Sequence, residues 1–501
     1  MQHTVFDIEG DGFDMTKVHV LSYIDATMDK PRSIYDLSDI EAFFAEDRVF
    51  IGHHIIGFDL VQLRKFVVIG DIKKIDTLPL SWYLNFDRST HGLEGYGTDY
   101  GIPKPVVTDW VNITREEATH RCEEDVKINW RLWKDLDRKL KRMYAEDADK
   151  QKLISYLNFK MECAAEQEAL GVHLNVTKAQ GHYDELLIAQ VAKVEELKLV
   201  MPQRIVYKQQ HKPKVPHKKD GDLSVAGERW YALLRSLKLP ESAIGPVTVV
   251  DKEEEPNPGS PAQVKDWLFS LGWEPCTYKF DRHKKTGEEK KIEQVRNQKG
   301  HSREGELCDS VLELIDKEPS VAVLEGLTII NHRLTVFKGF LEAVDADGMV
   351  KATIAGLTNT LRFKHSKPFV NLPGVDKPWG TEIRGCITAP DGFMLCGADM
   401  VSLEDTTKRH YIQPHDPDYV AEMSKDGYDP HLDLAKFAGS ITQSDIDKHN
   451  SGEHSLSALR KESKTTNYSA TYGVRPKTLS RRAGISVKKA TELLDAFWKR
   501  N

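Results

Sequence analysis

The chain has 501 residues, of which 40% are hydrophobic and 29% charged, with a formal net charge of −7. That length exceeds one ordinary core and predicts two or more domains. No run of eighteen apolar residues occurs, which excludes a membrane-spanning helix, and the start Met1-Gln-His-Thr-Val-Phe-Asp-Ile-Glu lacks the basic-then-apolar pattern of a secretory signal. The six cysteines (122, 163, 276, 308, 386, 396) form no C-x-x-C pair, which argues against a structural zinc site or disulfide framework and for a reducing compartment.

In chain order, His3–Phe6, Val18–Tyr23 and Val49–Ile51 read as short strands of one compact mixed sheet. From Thr114 to about Met143 apolar residues at 122, 126, 130, 133, 136, 140 and 143 recur at helical spacing, and Thr114 with Glu117 forms a capping-box pattern at the start. Residues 150–200 predict long helices projecting from a core. Residues 203–222 and 248–260 read as loops or linkers, rich in Pro, Lys, Glu and Gly. Helices are predicted from Ala262 to Leu271 and from Glu304 to Lys317, and a strand pattern from Ile383 to Asp399 with a turn at Pro390-Asp-Gly. The end, from Ser455 to Asn501, reads as helical with a break near Gly473. Six Lys/Arg and no acid lie between Gln203 and Lys219, and Arg475, Lys477, Arg481, Arg482, Lys488 and Lys489 cluster near the end. Such segments can neutralise phosphates, although a solvated charged face explains each equally well.

Two constellations carry chemistry. Asp7-Ile8-Glu9 places two carboxylates on one face of an apolar strand, where they repel unless a cation lies between them. Asp59 follows Phe58, and Asp125 lies within the amphipathic helix; taken singly, each acid is an ordinary surface or cap residue. If the four converge, they can hold two divalent ions for in-line attack of water on a phosphodiester. Their order and spacing resemble the DEDD exonuclease superfamily, and Ile75-Asp-Thr-Leu and His91-Gly-Leu-Glu-Gly-Tyr-Gly resemble matching segments of short-tailed-phage polymerases. The resemblance implies a ribonuclease-H-like α/β exonuclease domain over 1–148 in which Asp7, Glu9, Asp59 and Asp125 bind two Mg²⁺ (or Mn²⁺) ions. Arg121 stands where phage relatives carry Tyr, and His120 matches the His-type subgroup as general base. Positions five apart on a helix diverge by ~140°, so a break near His120 is predicted. His54 stands where relatives often have Asn.

The second constellation begins at Gly397-Ala-Asp399-Met-Val-Ser-Leu-Glu404, an acid after an apolar run and a second acid five residues on. Further along, Arg460, Lys464 and Tyr468 recur at i, i+4 and i+8 and so share one helical face. These stretches resemble motifs A and B of family A DNA polymerases. That resemblance implies that Asp399 binds the catalytic metals, Glu404 excludes ribonucleotides, and Arg460, Lys464 and Tyr468 meet the dNTP. Ser469 replaces the first Gly usual after the aromatic. Asp429-Pro-His431 resembles the element whose His approaches the triphosphate, and Glu382-Ile-Arg384 the stretch carrying the active-site arginine. Motif C, an H-D-[ED] turn, has no counterpart, since His415-Asp416 lies between prolines and upstream of motif B.

The expected architecture is that α/β exonuclease domain, then a mostly helical thumb (149–340), then the incomplete α+β palm (341–435) and fingers (436–501) of a right-hand polymerase. The implied partners are primer-template and single-stranded DNA, dNTP, a second polypeptide supplying motif C and a possible processivity factor, in the cytoplasm of a bacterial host for a phage-encoded protein. A stand-alone 3′–5′ exonuclease and a non-enzymatic DNA-binding accessory subunit remain open alternatives.

Overall fold

A computed structural model describes residues 2–282, 287–298, 305–358, 360–483 and 485–501. The chain divides into two compact units, Met1–Asp184 with Leu334–Leu395, and Glu185–Arg333 with Cys396–Asn501. This division does not follow the four stretches read from the sequence.

In the first unit a five-stranded mixed sheet runs in the order β3-β2-β1-β4-β5. Strand β1 (Gln2–Gly10) pairs antiparallel with β2 (Val18–Asp25) and parallel with β4 (Arg48–Gly52); β3 (Arg32–Ile34) and β5 (Lys73–Asp76) form the two edges. Period-2 alternation sorts β1 between two cores. Phe6 and Ile8 pack with α1 (Leu37–Phe44) and α2 (Asp59–Leu63), where Phe6, Phe43, Phe44 and Phe50 meet largely edge to face. Val5 faces the other way, among the apolar residues of α5 (Arg115–Met143), with α3 (Thr77–Leu84) and α4 (Leu93–Tyr100) alongside. By the same alternation Asp7 and Glu9 lie on the α5 side.

Helix α5 is the predicted amphipathic helix, and Thr114 and Glu117 do form its capping box. Thr114→Ala is expected to destabilise the first unit by about 1 kcal/mol, seen as a lower denaturant midpoint at unchanged slope; an unchanged midpoint would show that the cap contributes nothing. Helix α6 (Asp147–Leu170) does not project: Ile154, Leu157 and Met161 are buried in the sheet's two cores. After it β6 (Val172–Leu174) pairs with the short strands Met349–Val350 and Ile387–Thr388, and α7 (Val176–Val200) leads into the second unit.

Within the second unit two expectations need correction. The stretches read as loops at 203–222 and 248–260 contribute β7 (Arg204–Gln210) and β8 (Val247–Glu254), an antiparallel pair, with Trp230 and Leu234 of α8 (Val225–Ser236) buried beside Val247. Their strands are mostly exposed and polar, so no hydrophobic alternation announces them. The predicted helix from Ala262 is α9 (Pro261–Ser270), whereas the one expected from Glu304 starts later, as α10 (Asp309–Lys317); Glu304 itself lies outside the described residues. Trp267, Leu268, Trp273, Val311 and Leu314 form a local core there.

Helix α11 (Leu327–Ala343) returns the chain to the first unit, which also holds α12 (Gly380–Arg384). The strand predicted from Ile383 to Asp399 shrinks to Ile387–Thr388; the turn at Pro390 is present, with the Phe393 amide bonded to the Pro390 carbonyl. Residues 393–402 form no strand, because a strand exists only when a neighbour takes its backbone bonds. Phe393, Met394, Leu395, Met400 and Val401 are all exposed. The last stretch is helical as predicted: α13 (Leu403–Ile412), α14 (Pro417–Met423), α15 (Pro430–Phe437), α16 (Gln443–Asn450), α17 (Ser457–Thr471), α18 (Pro476–Ala483) and α19 (Val487–Arg500). Gly473, at φ +73°, supplies the predicted break after α17. Helices make up about half of the chain, and among the described residues no helix is long and apolar enough to cross a membrane.

Candidate active sites

The D-x-E face of β1 meets Asp125 of α5, so that one oxygen each of Asp7, Glu9 and Asp125 lie within 4.8 Å of one another. Asp125 Oδ1 is buried without a hydrogen-bond partner. An orphaned carboxylate oxygen among convergent hard oxygen donors fits a divalent cation. Burial, reinforced by the charges of Asp125, Asp59 and Glu9, pushes the Asp7 carboxyl well above the usual carboxylate range. Burial and Asp125 raise Glu9 to about 7. Asp59 stands outside that trio; burial and then Asp76 raise it to about 8, with the charge of Glu9 adding to the shift.

The loop before α2 is shaped by Asp76, a residue the sequence reading quoted without a role. Its buried carboxylate accepts from the amides of His54 (2.8 Å), Ile56 (3.1 Å) and Leu78 (3.0 Å). His54 adopts φ +69°, and at Gly52 a side chain would meet Ile55 Cγ2 at 2.0 Å. Together these constraints set Asp59 at the first turn of α2.

His120 requires a correction. Helix α5 runs through it without a break, so the ~140° offset turns its ring away from Asp125. Its side chain is 65% exposed and lies 3.8 Å from Glu124. The site instead contains Arg121, which the sequence set at the position of the relatives' Tyr, and Lys104, to which nothing in the sequence pointed. Arg121 Nε lies 3.4 Å from Glu9 and 3.5 Å from Asp125, and Lys104 Nζ lies 2.6 Å from Asp125 Oδ2. Lys104 sits between two prolines in an irregular loop, where neither spacing nor periodicity points to it.

In the second unit the predicted stripe on α17 is present. Arg460 Nε pairs with Asp429 Oδ2 at 2.5 Å, and the Lys464 ammonium lies 5.7 Å from the centre of the Tyr468 ring. Tyr468 meets the buried His431 edge-on at 5.2 Å. Asp429 also caps α15, accepting from the amides of His431 (2.8 Å) and Leu432 (3.1 Å). Burial alone would raise its pKa, but Arg460 and those amides hold it below the ordinary value. Asn467, to which the sequence reading gave no role, donates to Pro430 O (3.1 Å) and approaches His431 Nδ1 (3.4 Å). Glu404 lies in the first turn of α13 and accepts from Tyr472 Oη at 3.3 Å. Asp399 lies in the segment 393–402, which forms no strand, and accepts a local bond from the Met400 amide. Arg384 belongs to the first unit, where it donates to the carbonyls of Pro373 (2.7 Å) and Leu372 (3.4 Å).

Burial lowers His431 to about 4 from 6.5. The unfolded chain therefore takes up this proton first, and stability falls as pH drops from about 6.5 to about 4. In His431→Gln this part of the acid sensitivity should disappear from unfolding curves taken across that window; an identical pH slope would exclude His431 as its source.

A sequence model of DNA polymerase family A matches residues 246–501, just over half of the chain. The chain belongs to DNA polymerase family A. Two curated relatives are DNA polymerase I of Helicobacter pylori, from strains ATCC 700392 / 26695 and J99 / ATCC 700824, at 27% and 26% identity over 195 residues. Each match covers 38% of this chain and 20% of the relative, so the chain spans about a fifth of those proteins. The fold is similar to the POL domain of Pol1 from M. smegmatis, solved in complex with DNA primer-template and dNTP, at TM-score 0.61 and 17% identity over 99% of this chain and 72% of that one.

Proposed function

We propose that the chain is the 3′–5′ exonuclease and nucleotide-binding portion of a phage-type replicative DNA polymerase. The observation that carries this reading is the convergence of Asp7, Glu9 and Asp125 beside a buried, unpartnered oxygen. Two divalent ions, Mg²⁺ or Mn²⁺, would supply an activated water and neutralise charge on the phosphodiester. Asp7, Glu9 and Asp125 would hold them, with Asp59 completing the set and Asp76 fixing the loop that presents it. The 3′ end of a single strand is the substrate.

On the second unit, Arg460 and Lys464 would take the triphosphate of a dNTP, Tyr468 its base or sugar, and His431 the phosphates. Asp399 would be the metal ligand there, and Glu404 would exclude a ribose 2′-hydroxyl. One carboxylate holds two divalent ions poorly, so nucleotidyl transfer needs a further metal-binding carboxylate of the motif C kind beyond those in these 501 residues. The exposed segment 393–401, which forms no strand, supports this, because Asp399 sits on backbone that an added strand would order.

The test is a 5′-labelled single strand incubated with the purified chain. A ladder shortening from the 3′ end with Mg²⁺ or Mn²⁺, and stopped by EDTA, is expected; no ladder, or one indifferent to EDTA, excludes the exonuclease. No primer extension is expected from the chain alone. Extension lost on Asp399→Ala would exclude the need for a motif C from elsewhere.

A further inference from the structure

The acidic pocket of the first unit is crowded with negative charge, yet it carries its own counter-cations. Asp7, Glu9 and Asp125 converge there, with Asp59 near enough to affect them and Glu124 adding its charge on the same helix. Facing them are Arg121 and Lys104, whose side chains are 15% and 20% exposed. The two cations are held differently. Arg121 reaches Glu9 and Asp125, donates to the Pro105 carbonyl, and lies 5.6 Å over the Trp110 ring. The Trp110 carbonyl in turn contacts His19 Nε2 at 3.3 Å. Arg121 thus ties down the loop that carries Lys104. The Lys104 ammonium meets the pocket through one carboxylate oxygen, at 2.6 Å, on a flexible stem of four methylenes.

We propose that Lys104 occupies the place of a divalent ion in the acidic pocket, and that the ion binds by expelling it. This rests on the exonuclease reading above. An ion such as Mg²⁺ needs its ligand oxygens at about 2.0–2.1 Å. An ammonium 2.6 Å from Asp125 Oδ2 already takes that approach, and two cations cannot share it without strong repulsion at low dielectric. The exchange needs only side-chain rotation, because Arg121 and the flanking Pro103 and Pro105 keep the loop in place. Metal affinity is then the intrinsic affinity reduced by the fraction of time Lys104 is out.

The probe is Mn²⁺ alone, titrated into the full chain and followed by electron paramagnetic resonance. Lys104→Met is expected to tighten Mn²⁺ binding by about tenfold or more, and Asp7→Asn added to it should abolish the gain. Lys127→Met removes a cation of the same helix that pairs with Glu124 at 2.7 Å; a change below about threefold is expected, since it reads only the general field. A second readout needs no variant: by linkage, Mn²⁺ should speed acylation of the wild-type Lys104 amine. Binding by Lys104→Met no tighter than wild type, or acylation indifferent to Mn²⁺, overturns the proposal. If Mn²⁺ still binds wild type in an Asp7-dependent way, the exonuclease reading survives that result. No Asp7-dependent binding in any variant removes both.

Discussion

Asp7→Ala combined with Glu9→Ala is expected to reduce metal-dependent 3′-end trimming at least about 10³-fold, while the protein folds at least as well as before. Both acids contribute oxygens to the trio around the orphaned Asp125 oxygen, and with two of three gone, ions cannot be held for attack on phosphate. The stability half follows from the same burial. Glu9 has a folded pKa near 7 against 4.5, and Asp59 about 8 against 3.8. Between about pH 4 and 8 the folded chain keeps protons that the unfolded chain has released, so metal-free stability falls as pH rises. In thermal melts in EDTA, the difference between wild type and the double variant cancels the opposite contribution of His431, and the double variant should lose less stability as pH rises, with Asp59 keeping part of the fall. Unchanged trimming sinks the metal-ligand assignment; an unchanged slope shows that these acids are not under the strain their burial implies.

The parts of this molecule that could be read from sequence are those whose signal is local and periodic. On β1, alternation sent Phe6 and Ile8 to one core and Val5, Asp7 and Glu9 toward α5. On α5, apolar spacing and the Thr114–Glu117 box located a helix of 29 residues. What escaped depends on contacts distant in sequence. Strands β7 and β8 pair across a long separation with mostly exposed residues, so nothing in either alone resembles a half-buried strand. Residues 393–399 have strand composition but pair with no strand among the described residues, and composition cannot supply a neighbour. His120 and Lys104 show the same limit in a site. Motif position favoured His120, whereas helix phase placed Arg121 beside Glu9 and Asp125, and a Pro-Lys-Pro loop brought in a second cation.

Arg460→Ala combined with Lys464→Ala should weaken dNTP binding by roughly 10²-fold or more. Each charge-assisted contact to phosphate contributes about 1.5–3 kcal/mol, and about 1.4 kcal/mol is a factor of ten. Arg460 is engaged with Asp429, so its release to a triphosphate costs an ion pair, which argues for the lower end of that range. The fold should tolerate the change, because Asp429 keeps its capping bonds to the amides of His431 and Leu432, and Lys464 lies over the Tyr468 ring. The measurement is equilibrium binding of a fluorescent dNTP in Mg²⁺, with Arg481→Ala/Arg482→Ala on α18 as a control that removes equal charge from another helix. A selective loss in the α17 variant identifies the stripe as a triphosphate face. Equal, modest losses in both would mean that the stripe acts only through the general field of a basic surface, and that Arg460 serves chiefly to hold the start of α15.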